Sequence, residues 1–217
     1  MFTGIIRELG TVVARERADG VHRLRIHAPT LSRGLAVGES VAVNGVCLSA
    51  VQIRQGAVTF EMIPETCRLT TLGALRSGDR VNLEPSLTLS DRLNGHLGLG
   101  HIDGLGRICR RAQRAGEVTL EIQMSRDLRR YLVPKAPIAV DGVSLTVGGR
   151  LTPTTFAVFL IPETMRKTTL DGRRVGDVVN IEIDYLAKLV AQLAKPRQQL
   201  TQLLRGVTKR NRHAALD

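Results

Sequence analysis

The sequence contains no tryptophan and few other aromatics, with two Tyr and four Phe in 217 residues. Its core must therefore be filled by Val, Leu, Ile and Ala. Cysteine is as sparse: Cys47, Cys67 and Cys109 stand far apart, with no C-x-x-C pair and no clustered His. An odd, scattered set argues against a disulfide framework and against a structural zinc site. No apolar run approaches the ~18 residues that would argue for a membrane span. The opening Met-Phe-Thr-Gly-Ile-Ile lacks the basic flank and long apolar stretch of a signal peptide. These absences set the expectation of a soluble, cytoplasmic protein without a bound metal. There is also no G-x-S-x-G elbow, which leaves a hydrolase reading with little support.

Glycine, by contrast, is abundant at 21 residues, as many tight turns between short strands would require. The formal charge of +11 invites a polyanion-binding reading. Six of the basic residues, however, lie from Lys195 onward against the single acid Asp217. A basic tail is usually a solvated end, and no nucleic-acid motif accompanies this one. Nucleic acid is not expected as a primary ligand.

The chain repeats itself. Val-Asn-Gly-Val-Cys-Leu-Ser (43–49) returns as Val-Asp-Gly-Val-Ser-Leu-Thr (140–146), and Ile-Pro-Glu-Thr-Cys-Arg (63–68) as Ile-Pro-Glu-Thr-Met-Arg (161–166). Gly-Asp-Arg-Val-Asn-Leu-Glu (78–84) returns as Gly-Asp-Val-Val-Asn-Ile-Glu (176–182). The opening recurs too, Gly4 and Ile6 matching Gly100 and Ile102. Each copy is a whole domain of just under about 100 residues, within the usual range.

Inside each copy the pattern is β. Leu24 and Ile26, like Leu120 and Ile122, alternate with polar residues, and turn signals such as Asn44-Gly45 and Asp141-Gly142 follow at short intervals. Many short strands with Gly-rich turns favour closed barrels. Brief helices are expected near residues 29–36 and 125–132. After Asp184, Leu186, Leu189, Val190, Leu193, Leu200, Leu203 and Leu204 recur at helical spacing, interrupted by Pro196. The expected division is thus a first barrel over 1–96, a second over 97–185, a self-association helix over 186–205 and a basic tail over 206–217.

Taken together, the start Met1-Phe-Thr-Gly-Ile-Ile, Asn44-Gly-Val-Cys-Leu, Gly95-His-Leu-Gly-Leu-Gly-His-Ile-Asp-Gly104, Val140-Asp-Gly-Val-Ser-Leu-Thr-Val147, Ile161-Pro-Glu-Thr and Asn180-Ile-Glu-Ile-Asp184 closely resemble the riboflavin synthase family. The resemblance implies an all-β fold of two tandem six-stranded Greek-key barrels, with a C-terminal helix joining three subunits. It implies a transferase that moves a four-carbon unit between two molecules of 6,7-dimethyl-8-ribityllumazine. The products are riboflavin and 5-amino-6-(ribitylamino)pyrimidinedione, and no cofactor is needed. The active site is implied to lie between the first domain of one subunit and the second domain of its neighbour.

The two substrate molecules play different roles, so chemistry is expected where the copies differ: Ile5 against His101, Ser40 against Pro137, Asn44 against Asp141, Cys47 against Ser144, Ser49 against Thr146, Ser86 against Asp184. The resemblance puts Ser40, Cys47 and His101 on the first-domain side and Thr146 and Asp184 on the second. Ser40, or a water it orients, would add to one ring with Cys47 nearby. His101 would assist proton transfer, and Asp184 with Thr146 would hold the second lumazine. Cys47 also reads as a small buried hydrophobe. Ring contacts are implied at Gly4, Ile5 and Ile6, at Cys47, Leu48 and Ser49, and at Glu61, Met62, Ile63, Pro64, Glu65 and Thr66. The second pocket would use Gly100, His101 and Ile102, Lys135, then Ser144, Leu145 and Thr146, and finally Ile161, Pro162, Glu163 and Thr164. Glu65 and Glu163 read either as acceptors for ribityl hydroxyls or as turn-stabilising acids after Pro. The sequence departs from the family at Leu99, where a polar residue is usual, and at Ala136-Pro137. The rival readings are a lumazine- or flavin-binding protein without catalysis and an interaction protein using the basic tail.

Overall fold

The computed structural model describes residues 1–194 apart from Asp19 and Ala115. The first barrel comprises β1 (Glu8–Ala18), β2 (Val21–His27), β3 (Ser40–Val43), β4 (Val46–Arg54), β5 (Ala57–Met62) and β6 (Arg80–Pro85). The second comprises β7 (Gly104–Arg114), β8 (Glu117–Gln123), β9 (Pro137–Val140), β10 (Val143–Leu151), β11 (Thr155–Leu160) and β12 (Val178–Ile183). Strands close in the order β1-β2-β5-β4-β3-β6, and the second ring has the same order, β7-β8-β11-β10-β9-β12. Closure removes every free sheet edge.

Strand alternation explains why these sequences close. Leu24 and Ile26 from β2 and Val58, Phe60 and Met62 from β5 point inward and are fully buried, while the residues between them face out. Leu120, Ile122, Phe156, Val158 and Leu160 repeat the arrangement in the second barrel. Even the irregularities recur, with a bulge between Val12 and Ala14 in β1 and between Ile108 and Arg110 in β7.

The short expected helices are present as α1 (Leu31–Gly34) and a 3-10 turn over Arg126–Tyr131. Two further helices were not expected, α2 (Pro64–Leu69) and α3 (Pro162–Lys167). Each opens on the proline of its Ile-Pro-Glu-Thr segment, where a missing N–H costs nothing. The C-terminal helix α4 spans Tyr185–Leu193. The expected continuation through Pro196 to residue 205, and the basic tail, lie outside the described residues. Among the described residues, no helix is long and apolar enough to cross a membrane.

The barrels meet along the hairpin turns Asn44-Gly45 and Asp141-Gly142. A Cβ on Gly45 would stand 2.7 Å from the Gly142 nitrogen, and one on Gly142 would stand 2.6 Å from the Gly45 nitrogen. Around this contact a reciprocal amide network is buried. Asn82 Nδ2 donates to the Asp141 carbonyl at 2.9 Å and its Oδ1 accepts from the Thr169 amide at 2.8 Å. Asn180 mirrors it, donating to the Asn44 carbonyl and accepting from the Thr71 amide, both at 2.8 Å. Replacing Asn82 by Ala orphans one buried carbonyl and one amide across the interface. The expected cost is about 2–3 kcal/mol, seen as a lower denaturant midpoint, with Asn180→Ala giving a similar loss.

Candidate active site

The N-terminal peptide and the peptide between the barrels form a two-way crossing. Phe2 and Gly98 pair antiparallel, the Phe2 amide donating to Gly98 at 2.8 Å and the Gly98 amide donating back at 2.9 Å. From there the chains diverge. Gly4 delivers its carbonyl to the Ser144 amide of β10 at 2.8 Å, and Gly100 delivers its carbonyl to the Cys47 amide of β4 at 3.0 Å. Ile6 packs on the core of the second barrel and Ile102 on that of the first. Gly4, Ile5 and Ile6, expected beside Cys47, therefore lie on the second barrel, and Gly100 and Ile102, expected in the second pocket, lie on the first, where His101 joins the side expected for it with Ser40 and Cys47. Each opening peptide lies on the other barrel.

Only glycine fits the crossing points. Gly4 and Gly100 have φ of +75° and +77°, and a Cβ would lie 2.6 Å from Ser144 Cβ or 2.5 Å from Cys47 Cβ. Both peptides are anchored by buried carboxylates. Glu84 in β6 accepts from the Thr3 amide and hydroxyl, each at 2.7 Å, and from the Gly4 amide at 2.9 Å. Glu182 in β12 accepts from the amides of Leu99 at 2.8 Å, Gly100 at 3.1 Å and His101 at 3.4 Å. Burial pushes both carboxyls up, opposed by these donors. The Leu99 departure acquires a physical meaning here: its backbone, not its side chain, serves Glu182, whereas Thr3 adds a hydroxyl to Glu84.

Alternation along β4 and β10 sorts the remaining candidates. Cys47 and Ser49 sit on the outer face of the first barrel, and Ser40 lies directly across from Ser49 in the β3–β4 register. With His101 following Gly100, this gathers Ser40, Cys47, Ser49 and His101 around one crossing. Ser144 and Thr146 occupy the matching outer face of β10, Thr146 opposite Pro137. Lys135 turns the chain beside them with φ of +70°, its amide donating to Val147 at 2.9 Å. Leu48, Met62 and Leu145 are different: their side chains are buried in the barrel cores, so only their backbones face outward. Glu61 is exposed and pairs with Arg23 at 3.0 Å. Glu65 pairs with Arg68 at 2.7 Å and Glu163 with Arg166 and Lys167, all at exposed positions on α2 and α3. Ile63, Pro64, Ile161 and Pro162 are exposed where those helices begin, and Thr66 and Thr164 are half-buried within them.

Asn44 and Asp141, one of the unequal pairs, are fully buried in the turns where the barrels meet. Their difference is matched locally. Arg173, which stands where the first copy has Leu75, donates to Asp141 at 2.6 Å. Burial raises the Asp141 carboxyl and the Arg173 guanidinium pulls it back.

His96 was not among the expected site residues. It is buried at 8% exposure and its Nδ1 lies 2.7 Å from Ser144 Oγ. Desolvation holds its imidazole below the ordinary histidine range, opposed by the charge of Asp184. Asp184 itself caps α4, accepting from the Leu186 amide at 3.1 Å. The second crossing thus joins Ser144, His96 and Asp184, a set absent from the first. Among the described residues there is no cluster of three or more His, Cys, Asp or Glu able to hold a metal ion.

These features define a class: paired barrels of common origin, each with an outer strand face met by a peptide from the other. A family model for the lumazine binding domain matches residues 3–86 and again 99–184. Riboflavin synthase of Mycobacterium tuberculosis (strain ATCC 25618 / H37Rv) is 42% identical over 198 residues, covering 90% of this chain and 98% of that protein. Riboflavin synthase of Bacillus subtilis (strain 168) is 37% identical over 203 residues, covering 93% and 94%. The crystal structure of LumP complexed with riboflavin matches with a TM-score of 0.78 at 23% identity, over 84% of this chain and 99% of that one. LumP complexed with 6,7-dimethyl-8-(1'-D-ribityl) lumazine matches with a TM-score of 0.76. The chain belongs to the riboflavin synthase family, built on two lumazine binding domains.

The depressed imidazole has a signed consequence. The unfolded chain takes up this proton first, so stability contributed by neutral His96 is present at neutral pH and falls as pH drops below the ordinary histidine value. Urea midpoints measured between pH 7.5 and 5.5 should fall more steeply for the wild type than for His96→Gln.

Proposed function

We propose that the chain is a riboflavin synthase, converting two molecules of 6,7-dimethyl-8-ribityllumazine to riboflavin and 5-amino-6-(ribitylamino)pyrimidinedione. The observation that carries this reading is the pair of crossings: two pockets of one ancestry, alike in backbone and unlike in reactive side chains. A reaction between two copies of one molecule needs two matching cradles. It also needs different groups at each, because one molecule gives four carbons and the other receives them.

The division of labour follows the side chains. Around the first crossing Ser40, or a water it orients, adds to one lumazine, with Cys47 and Ser49 lining the same face and His101 exchanging the proton. Around the second, Thr146 and Asp184 hold the partner molecule, with Ser144 set by His96. Backbone carbonyls at Ile5, Ile6, His101 and Ile102, beside glycines whose own amides and carbonyls are already engaged, meet the pyrimidinedione edges. Holding the reacting pair together supplies up to about 7–11 kcal/mol of the barrier. No cofactor enters this chemistry.

On the same reading, and by the family resemblance, the active site forms between neighbouring subunits, first barrel against second, in a homotrimer. Supporting this, α4 exposes Leu186, Leu189, Val190 and Leu193, the last at 83%. Three free thiols fit a reducing, cytoplasmic setting.

The direct test is incubation of the purified chain with 6,7-dimethyl-8-ribityllumazine. Flavin absorbance should appear with one riboflavin formed for two lumazines consumed; tight binding without flavin would overturn the reading in favour of a carrier. His101→Ala should lower kcat by about a hundredfold, in the range for loss of a general acid–base, and full turnover would remove that histidine from the mechanism. In sedimentation, Leu189→Glu combined with Val190→Glu should convert trimers to smaller species.

A further inference from the structure

Glu84 and Glu182 each sit in one barrel and hold a peptide that lies on the other. Glu84 closes β6 of the first barrel, yet the Thr3-Gly4 peptide it grips passes its carbonyl to Ser144 in the second. Glu182 lies in β12 of the second barrel, yet Leu99-Gly100 passes its carbonyl to Cys47 in the first. In each glycine the amide is fixed by one barrel and the carbonyl by the other. The side chains are buried, at 3% and 5% exposure, and so is each glycine. A shift of either carboxylate is therefore delivered to the opposite pocket with one residue of chain between.

We propose that Glu84 and Glu182 are positioning residues acting across the barrel interface, Glu84 setting ligand affinity in the pocket at Ser144 and Glu182 setting it in the pocket at Cys47. This rests on the functional reading above, which makes those crossings the lumazine pockets. Neither carboxylate needs to touch the ligand. A carboxylate suits the task because both oxygens accept: Gln at 84 sets an NH2 against the Thr3 or the Gly4 amide, and Gln at 182 sets one against the Gly100 amide, which also donates to the second Glu182 oxygen at 3.2 Å. The two sets are unequal, since Thr3 gives Glu84 a hydroxyl bond at 2.7 Å that Leu99 cannot give Glu182.

The test uses the full chain and the 7-oxo analogue of 6,7-dimethyl-8-ribityllumazine, which lacks the 7-methyl proton and so does not turn over. Titration gives the affinities, and co-crystal structures give occupancy pocket by pocket. Glu84→Gln should weaken the pocket at Ser144 about tenfold to a hundredfold, the usual scale for a charge-assisted bond, and spare the pocket at Cys47. Glu182→Gln should do the reverse. Loss from the glutamate's own barrel, equal loss from both, or no loss overturns the proposal. Should Glu84→Gln fail to fold, Thr3→Val keeps the carboxylate and removes the hydroxyl that donates to Glu84 at 2.7 Å and accepts from the Ile5 amide at 3.2 Å. It should weaken the Ser144 pocket alone, and unchanged binding there overturns the proposal equally. A wild-type chain that binds no analogue, or binds it in a single pocket, contradicts the functional reading itself.

Discussion

The crossing of two short peptides at Phe2 and Gly98 is the constraint from which the site follows. It forces glycine at residues 4 and 100, because each backbone runs against a strand of the other barrel at a distance that admits no Cβ. It forces a buried acceptor behind each peptide, because amides turned away from water must be satisfied. Glu84 and Glu182 meet that need at the cost of burying a carboxylate, which the raised carboxyls record. The exchanged peptides meet β4 at Cys47 and β10 at Ser144.

Two kinds of difference separate the halves. The buried one, Asn44 against Asp141, is balanced inside the interface by Leu75 against Arg173 and leaves the backbone symmetric. The exposed ones, Cys47 against Ser144 and Ser49 against Thr146, are unbalanced and sit where a ligand would meet them. His96 deepens that imbalance by bonding Ser144, where the first barrel has Cys47. Symmetry is kept where the barrels hold one another and abandoned where they meet solvent.

Repeat and alternation made the two barrels, their strands and the candidates Ser40, Cys47, Ser49, Ser144 and Thr146 legible before any coordinates. Those signals are local: strand period tells inside from outside, and a repeat tells which residue corresponds to which. Neither tells on which barrel a peptide lies. The anchor of Gly4 is 80 residues away in Glu84, and the two crossing peptides share their Gly and an Ile, so the exchange was invisible and only His101 was expected on the side where its peptide lies. Leu48, Met62 and Leu145 were included because whole segments were carried over; alternation, applied residue by residue, assigns them to the core. The helices α2 and α3 were signalled by proline at the first turn, a cue overshadowed by reading the same residues as ligand contacts.

The exchanged arms bear on how such a chain comes into being. A lone half would own an arm whose groove lies on another molecule, and a groove waiting for another molecule's arm. Two unfused halves would satisfy each other only by domain swapping, in a closed pair with twofold symmetry. Joining them in tandem turns that mutual embrace into a contact within one polypeptide, and frees each copy to diverge without risk of pairing with its own kind.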